Sequence, residues 1–397
     1  MARIAILNAG HMDYGGTERV VAYQARGLAA RGHKVVIFTP VNDKRIFADV
    51  IPNVVHIKSW WHTLPVPMLK RTINRLLHFW FGGKELRNFD VLIAHNQPAP
   101  YVAYKNKMKN DKPYIVYCHA PWRRLYPRKV DLVSGWASDY REKIMFLSQD
   151  YWRRIDRTSI LGADAHLINS LKTRDEVKRV YGIDAKLCYP GIDVSKYRDF
   201  PKGKVNQISK KYHVGKYTLL VVGRHAPQKM LEWVPVIVKK VALQVSKVEV
   251  IITGKPNRLV TPKLIERAKQ LEVDDKIRFV GAIPENDLIS LYHACPLLLY
   301  NAVDEDFGLP PLEAMACGCV PVAWNEGAGP CETIIDGETG LLARPYDLND
   351  FAGKVIYLLK NSGEKALMSK KGISRAVKYN WAFHINILNE TIHRLVE

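Results

Sequence analysis

The chain contains no hydrophobic run long enough to cross a membrane as a helix. Such a helix needs about 20 consecutive, mainly apolar residues, and every apolar stretch here is interrupted before about 18. The opening segment MARIAILNAG has the pattern of a first β-strand and not of a signal peptide. We therefore expect a cytoplasmic protein, either soluble or held peripherally on the cytoplasmic face of a membrane.

Cysteine is scarce, and its spacing excludes the common cysteine chemistries. No two of the cysteines form a CxxC pair, so the sequence offers neither a zinc site nor a redox couple of the usual kind. Their apolar surroundings predict reduced and mostly buried thiols at Cys118, Cys188, Cys295, Cys317, Cys319 and Cys331.

Acidic residues are few relative to basic ones. The chain has 59 lysines and arginines against 39 aspartates and glutamates, which gives a formal net charge of +20 at pH 7. A protein of this charge is attracted to anionic partners. Composition alone leaves lipid head groups, nucleic acid and phosphorylated small molecules as alternatives.

Short β-branched runs alternate with helical patterns, which favours βα units and a parallel sheet. The first set reads RIAIL (3–7), KVVIFT (34–39), DVLIAH (90–95), YIVYC (114–118) and AHLIN (165–169). After GIDVSKYRDFPKGK (191–204) the rhythm restarts with YTLLVVG (217–223), VEVIITG (ending at Gly254), IRFVG (277–281), PLLLY (296–300) and VPVAW (320–324).

This pattern predicts an α/β protein of two doubly wound domains, 1–195 and 196–378. A last helix over 379–397 is expected to pack back on the first domain. Ligands of open parallel sheets bind beyond the carboxyl ends of the strands. Two such domains facing each other would hold their ligand in the cleft between them, and functional residues should fall just after strands.

Two motifs have the chemistry of an anion site. In GGTER, Gly15 and Gly16 open a helix whose N–H groups could meet an anion, although a tight turn explains the glycines equally well. In VVGRHAPQKM, Arg224 and Lys229 follow a strand and could neutralise a diphosphate without Mg²⁺. The alternative for this pair is a solvated basic face.

The stretch DEDFGLPPLEAMACG places two carboxylates around a turn. Pro310 and Pro311 suit the first turn of a helix, so Glu305 is predicted in the preceding loop and Glu313 in the first turn. Two acceptor groups suit a ligand rich in hydroxyls, and the positive helix terminus suits its phosphates. An acidic metal site around Glu305 is the disfavoured alternative, and we expect no metal.

Together these segments resemble the retaining glycosyltransferases of family 4. The resemblance rests on GGTER, CHAP (118–121), PGID (190–193), GRHAPQK, VGAIPENDL, EDFGLPPLEAMACG followed by PV, and GPCETIIDGETGLL, which span nearly the whole chain. It implies the GT-B fold, in which two Rossmann-like domains face a central cleft. The first domain would then bind the acceptor and the second the nucleotide-sugar.

The resemblance also implies residue roles. Arg224 and Lys229 would hold the donor diphosphate and stabilise its growing charge, Glu305 would bind the hydroxyls of the transferred sugar, and Glu313 those of the ribose. His119 would hydrogen-bond the donor sugar near the reacting carbon, the alternative being a structural histidine. The other implied donor contacts are Gly15, Gly16, Phe307, Gly308, Leu309 and, on the base, Ala282 and Ile283; the acceptor side is assigned to Trp122 and Arg123.

Two departures from the family pattern concern glycine. Met230 stands after the lysine where the family usually has glycine, and Ala328 interrupts a pair that is often Gly-Gly. The first could reshape its loop slightly. Neither removes a charged group.

The implied reaction retains the anomeric configuration and requires no cofactor beyond the nucleotide-sugar substrate. The CHAP, GGTER and GPCETI segments look most like mannosyltransferases that use GDP-mannose on lipid-linked glycans. A UDP-sugar donor, such as UDP-glucose or UDP-N-acetylglucosamine, is the alternative. So is a protein, nucleic-acid or small-molecule acceptor.

A basic amphipathic pattern in PMLKRTINRLLHFWF (67–81) indicates a membrane-surface helix. Its apolar face would carry Leu69, Ile73, Leu76 and Trp80, with basic residues elsewhere, as suits an anionic membrane holding a lipid-linked acceptor. An ordinary surface helix packed on the core is the alternative. A non-catalytic nucleic-acid-binding protein is the remote rival that the charge permits, although no nucleic-acid motif is present.

Overall fold

The chain folds into two compact units. The computed structural model describes residues 1–8, 15–39, 50–52, 55–59, 84–128, 130–131 and 148–397. The first unit takes the described residues up to 128, those of 148–191, and Trp381–Glu397. The second takes Val130, Asp131 and Ile192–Asn380.

The first unit is built on a seven-stranded parallel sheet with strand order β3-β2-β1-β4-β5-β6-β7. Its strands are β1 Arg3–Asn8, β2 Lys34–Thr39, β3 His56–Ser59, β4 Val91–His95, β5 Tyr114–Cys118, β6 Ala165–Ile168 and β7 Lys186–Leu187. Its described helices are α1 Gly16–Ala29, α2 Ala99–Asn110, α3 Gln149–Leu161, α4 Leu171–Tyr181 and, from the end of the chain, Trp381–Val396.

Both faces of this sheet are buried, as parallel sheets require. Alternate residues of β1 separate into two cores: Ile4 and Ile6 pack with α1 and the C-terminal helix, whereas Ala5 and Leu7 pack with α2. The C-terminal helix fits closely because residue 27 is glycine. A Cβ there would lie 2.5 Å from a side-chain carbon of Ile385.

The second unit has a six-stranded parallel sheet with order β10-β9-β8-β11-β12-β13. Its strands are β8 Thr218–Val222, β9 Glu249–Thr253, β10 Ile277–Gly281, β11 Leu297–Tyr300, β12 Val320–Trp324 and β13 Leu341–Ala343. Its helices are α5 Val194–Arg198, α6 Lys202–Lys211, α7 Val234–Ala242, α8 Val260–Gln270, α9 Glu285–Ala294, α10 Leu309–Ala316, α11 Pro330–Thr333, α12 Leu348–Lys360 and α13 Ser362–Ala376; the C-terminal helix is therefore α14.

The predicted α/β class and the doubly wound parallel sheets are confirmed. Each hydrophobic run quoted above forms a strand at the expected place, within a residue or two at either end. Three short strands were missed, β3, β7 and β13, because runs of two to four residues carry too little periodicity to be recognised. All three lie at or beside the outer edge of their sheet.

Two further expectations concern the cysteines and the membrane. The six cysteines are all free thiols, and only Cys331 is not fully buried. The segment 67–81, with Leu69, Ile73, Leu76 and Trp80, lies outside the described residues. Among the residues that are described, no helix combines the length and apolarity needed to cross a bilayer.

Candidate functional site

Three glycines mark the carboxyl edge of the second sheet. Gly223 and Gly254 directly follow β8 and β9, and Gly281 ends β10. Gly254 has φ +137°, and a Cβ there would lie 1.8 Å from the carbonyl oxygen of Gly223. Only glycine permits this close approach of two backbones. Main chain therefore forms this part of the edge.

The loop after β8 carries the predicted cations. Arg224 is exposed and Lys229 is half-buried. The amide of Asn301, directly after β11, holds this loop by donating to the carbonyl oxygens of Lys229 at 2.9 Å and Met230 at 2.6 Å. Met230 takes a left-handed conformation, with φ +44°. Met230 therefore replaces the glycine of the family pattern at a position whose left-handed backbone conformation favours glycine.

Lys229 and Glu305 are brought together. The Lys229 ammonium forms an ion pair with Glu305 Oε2 and donates to the hydroxyl of Tyr300 at 3.3 Å. Burial, followed by the charge of Glu305, raises the pKa of Tyr300 well above its usual value, so its hydroxyl remains protonated. One predicted cation and one predicted acceptor of sugar hydroxyls thus share a corner lined by Tyr300.

Glu313 lies deeper than the sequence indicated. Helix α10 begins at Leu309, with Pro310 and Pro311 in the first turn as predicted. Glu313 is the fifth residue, so the prediction of a first-turn carboxylate is wrong by one position, because the helix begins at Leu309, one residue before the proline pair. It is only 3% exposed, and Tyr292 Oη donates to its Oε2 at 3.0 Å.

The loop that carries Glu305 is clamped from the other side. Gly329 donates its N–H to the carbonyl oxygen of Glu305 at 2.9 Å, and a Cβ on Gly329 would lie 2.3 Å from the Cα of Phe307. Glu326 Oε1 accepts from the backbone N–H of Asp304 at 2.7 Å. The segment EGAGP therefore shapes the carboxylate loop, and Ala328, 1% exposed, is accommodated within it.

The remaining predicted donor contacts of this unit lie around the same edge. Ala282 and Ile283 form the short loop between β10 and α9. Gly308 is the N-cap of α10 with φ +81°, and Leu309 follows it. Phe307 is buried, with its ring 6.1 Å from that of Tyr379, so its side chain supports the loop from inside. Within the described residues, no cluster of three or more histidine, cysteine or carboxylate groups could hold a metal ion.

At the GGTER segment, a carboxylate lies beside the helix N-terminus that the sequence suggested as an anion site. Gly15 is the N-cap of α1 in extended conformation, and Gly16 is exposed. A Cβ on Gly15 would lie 2.2 Å from Glu18 Oε2. The carboxylate of Glu18 therefore already lies close to the positive end of this helix, and an incoming phosphate would compete with it.

His119 directly follows β5, as predicted, and contacts a second histidine. Its Nε2 lies 2.9 Å from Nδ1 of His95, the last residue of β4. Burial lowers the pKa of His119 to about 3, so the ring is neutral at physiological pH. Trp122 packs edge-on against Trp152 with ring centroids 6.3 Å apart, and Arg123 is half-buried.

Sequence reasoning missed several polar residues of the site. His95 ends a strand and Asn301 follows one, so the rule that functional residues come just after parallel strands would have found both. Tyr300 also ends a strand but reads as a core aromatic. Tyr292 lies inside a helix, where its spacing gave no signal.

Two family profiles match separate parts of the chain. Residues 14–196 match the profile described as Glycosyltransferase Family 4, and residues 205–375 match Glycosyl transferases group 1. Together they account for most of both units.

Curated relatives and solved structures agree with these profiles. The Alpha-1,3/1,6-mannosyltransferase alg-2 of Neurospora crassa is 26% identical over 92% of this chain and 84% of its own, and the human Alpha-1,3/1,6-mannosyltransferase ALG2 is 25% identical over 97% and 93%. The structure of Anabaena Alr3699/HepE with UDP-glucose has a TM-score of 0.79 at 16% identity and covers 99% of this chain and 100% of its own. At that identity the last likeness shows the fold alone.

Proposed function

Because the chain belongs to the family 4, group 1 glycosyltransferases of the GT-B fold, we propose that it transfers mannose from GDP-mannose to a hydroxyl of a lipid-linked glycan, with retention of the anomeric configuration. The observation that carries this choice of donor is the likeness to two mannosyltransferases over more than nine-tenths of the chain, 92% and 97%. The prediction that residues 67–81 form a membrane-surface helix supports a lipid-linked acceptor.

The proposed donor site uses the two cations after β8. Arg224 and Lys229 would hold the diphosphate, and their charges would act most strongly as negative charge grows on the β-phosphate in the transition state. This supplies the charge stabilisation that a metal ion gives in other phosphate enzymes, and it is why we propose a metal-independent reaction.

The two glutamates would orient the donor. Glu305, which lies in the same corner as Lys229, would accept hydrogen bonds from the hydroxyls of the transferred sugar. Glu313, nearly buried and held by Tyr292, would accept those of the ribose. One oxygen of the leaving diphosphate would take the acceptor proton, so the leaving group acts as the base.

His119 would hold the sugar from the first unit. We propose that it hydrogen-bonds a donor-sugar hydroxyl near the anomeric carbon, while Trp122 and Arg123 contact the acceptor. The neutral state of His119 suits this role, because an uncharged imidazole can accept a hydrogen bond from a hydroxyl without drawing the diphosphate out of place.

A donor screen tests the proposal. Thermal shift and hydrolysis are followed with GDP-mannose, UDP-glucose and UDP-N-acetylglucosamine at equal concentrations. GDP-mannose should raise the midpoint of unfolding most, since a ligand that binds only the folded state stabilises it. A larger shift and faster hydrolysis with a UDP-sugar would replace GDP-mannose by that UDP-sugar as the proposed donor.

A vesicle experiment tests the membrane helix. Replacing both Ile73 and Trp80 with serine should release the protein from anionic vesicles, because the strength of binding scales with the apolar area that the helix buries. Leu243→Ser is the matched control, because this leucine is 82% exposed and lies in the second unit. Undiminished binding of the double variant would remove the membrane helix from the proposal.

A further inference from the structure

Four side chains in the first unit form a continuous line of hydrogen bonds that begins at His119. His119 Nε2 contacts His95 Nδ1 at 2.9 Å, and His95 Nε2 contacts Gln24 Oε1 at 2.9 Å. Gln24 Nε2 then contacts His384 Nε2 at 3.0 Å, and His384 Nδ1 lies 2.8 Å from the carbonyl oxygen of Tyr189. The side chains come from the end of β5, β4, α1 and α14.

The far end of this line fixes the proton on every ring. The carbonyl oxygen of Tyr189 can only accept, so Nδ1 of His384 must carry hydrogen. The other nitrogen of a neutral His384 is then an acceptor and faces the amide N–H of Gln24. The carbonyl oxygen of Gln24 in turn accepts from His95 Nε2, which leaves His95 Nδ1 as the acceptor of a hydrogen on His119 Nε2.

We propose that Gln24, His95 and His384 are positioning residues that hold His119 as the Nε2–H tautomer, so that its Nδ1 carries a lone pair for a ligand hydroxyl. The tautomer assignment stands on the hydrogen-bond geometry and on the neutrality of the rings. Its use for a sugar hydroxyl rests on the proposed function.

The surroundings keep the line neutral. Gln24, His95 and His384 are at most 1% exposed. Burial lowers the pKa of His384 to about 4 and that of His95 well below its usual range. The groups packed against the rings are uncharged at neutral pH: Tyr117 lies 5.4 Å from His384 between ring centroids, Trp381 lies 5.2 Å from it, and the thiol of Cys188 lies 3.5 Å from its Nδ1.

Gln24 makes the line directional and unsuited to carrying protons. An amide donates through its nitrogen and accepts through its oxygen, so it fixes which neighbour is the acceptor and which the donor. It cannot take up and release a proton at neutral pH as an imidazole does. The line therefore sets which nitrogen of His119 bears hydrogen. It does not relay a proton from α14 to the substrate.

The test combines histidine ¹⁵N NMR with transfer kinetics on the full chain. Wild type should show His119 as the Nε2–H tautomer. Gln24→Met removes both hydrogen bonds of the amide and should give a mixture of tautomers at His119, with kcat lowered about tenfold and KM within about twofold, the loss expected for one misdirected hydrogen bond. His384→Leu should behave alike, whereas His384→Gln keeps an acceptor toward Gln24 and should recover most of the activity.

His166→Gln is the control, because this histidine bonds the carbonyl oxygen of Ile160 at 2.7 Å and lies outside the line. It should change neither the His119 tautomer nor kcat. A wild-type His119 in the Nδ1–H form, or an unchanged tautomer in folded Gln24→Met, would overturn the proposal. If wild type transferred no sugar from any donor, the proposed function would fail while the NMR result still decided the tautomer. If Gln24→Met did not fold, the comparison of His384→Gln with wild type would decide the matter. A mixture of tautomers at His119 in His384→Gln, which keeps the acceptor toward Gln24, would contradict the role of that acceptor.

Discussion

Lys229 and Glu305 form an ion pair although they lie 76 residues apart in the chain. They belong to the loops after β8 and β11, which are neighbouring strands of one parallel sheet. The pair brings a cation suited to phosphate and an acceptor suited to hydroxyls to one corner. A phosphate would therefore compete with Glu305 for Lys229, and a sugar hydroxyl would compete with Lys229 for Glu305.

Removing each charge should therefore affect transfer and binding differently. Lys229→Ala should lower kcat by about 10²-fold or more and weaken the binding of a nucleoside diphosphate, because the phosphates lose a cation. Glu305→Gln should also abolish most transfer but should not weaken nucleoside diphosphate binding, since it frees Lys229. Calorimetry and initial rates distinguish the two. Glu249→Ala, which breaks an ion pair with Arg278 at the amino end of β9, is the control and should leave both properties intact. Wild-type turnover in either site variant would contradict the site.

The hydroxyl of Tyr292 should matter for the nucleotide and not only for the fold. Tyr292→Phe removes the donor to Glu313 Oε2, so the carboxylate loses one fixed partner. We expect nucleotide affinity to fall about three- to tenfold and the free energy of unfolding by about 1 kcal/mol. Tyr114→Phe is matched, since this buried hydroxyl donates to Ser159 O at 2.7 Å in the other unit. Tyr114→Phe should lower the free energy of unfolding by a similar amount and leave nucleotide affinity unchanged. Equal losses of affinity in Tyr114→Phe and Tyr292→Phe would refute the role of Tyr292.

The backbone at Gly329 should be intolerant of any side chain. In Gly329→Ala the new Cβ would lie 2.3 Å from the Cα of Phe307 and 2.5 Å from the oxygen of Asp306, so the loop carrying Glu305 must move. We expect transfer to drop by about 10²-fold because a shift of about 1 Å misplaces the carboxylate. Gly353→Ala, in α12 with open space around its Cα, should keep activity and gain some stability. Full activity in Gly329→Ala would show that the loop tolerates displacement.

These contacts show what the sequence could and could not predict. Periodicity gives ten of the thirteen strands, all but β3, β7 and β13, and the proline pair that opens α10 gives the loop position of Glu305. The depth of Glu313 and its partner Tyr292 depend on how α9 packs against α10, and no local pattern encodes that packing. His384 is more extreme: it reaches His95 through Gln24 only because α14 returns to the first unit beside Gly27. Long-range packing, and not residue type, brings such groups together.

Met230 offers a test of backbone strain at the site. Its φ of +44° is unfavourable for a residue with a Cβ by about 1 kcal/mol. Met230→Gly and Met230→Ala both remove the side chain that packs on the core of the second unit, so the difference between the two variants isolates the backbone effect. We expect the glycine variant to be more stable than the alanine variant by about 1 kcal/mol in chemical denaturation, the reverse of the order in a helix. If the alanine variant were the more stable of the two, as it would be in a helix, the backbone strain at residue 230 would be relieved elsewhere in the structure.

Stability should fall as the pH drops below about 6.5, because the buried His95 and His384 and the half-buried His119 stay neutral in the folded protein. Burial lowers the pKa of His119 to about 3 and of His384 to about 4, and it lowers that of His95 as well, whereas the unfolded chain binds their protons near pH 6.5. The unfolded state then holds more protons between about pH 4 and 6.5, so the free energy of unfolding decreases on acidification by up to about 1.4 kcal/mol per pH unit for each histidine. Asp156 opposes this, because burial raises its pKa to about 6 and favours the folded state as the pH falls. The free energy of unfolding, measured with denaturant at pH 5 and pH 7, should therefore change less with pH in His384→Gln than in wild type. In Asp156→Asn it should change more. If His384→Gln kept the pH dependence of the wild type, His384 would become charged in the folded protein without destabilising it.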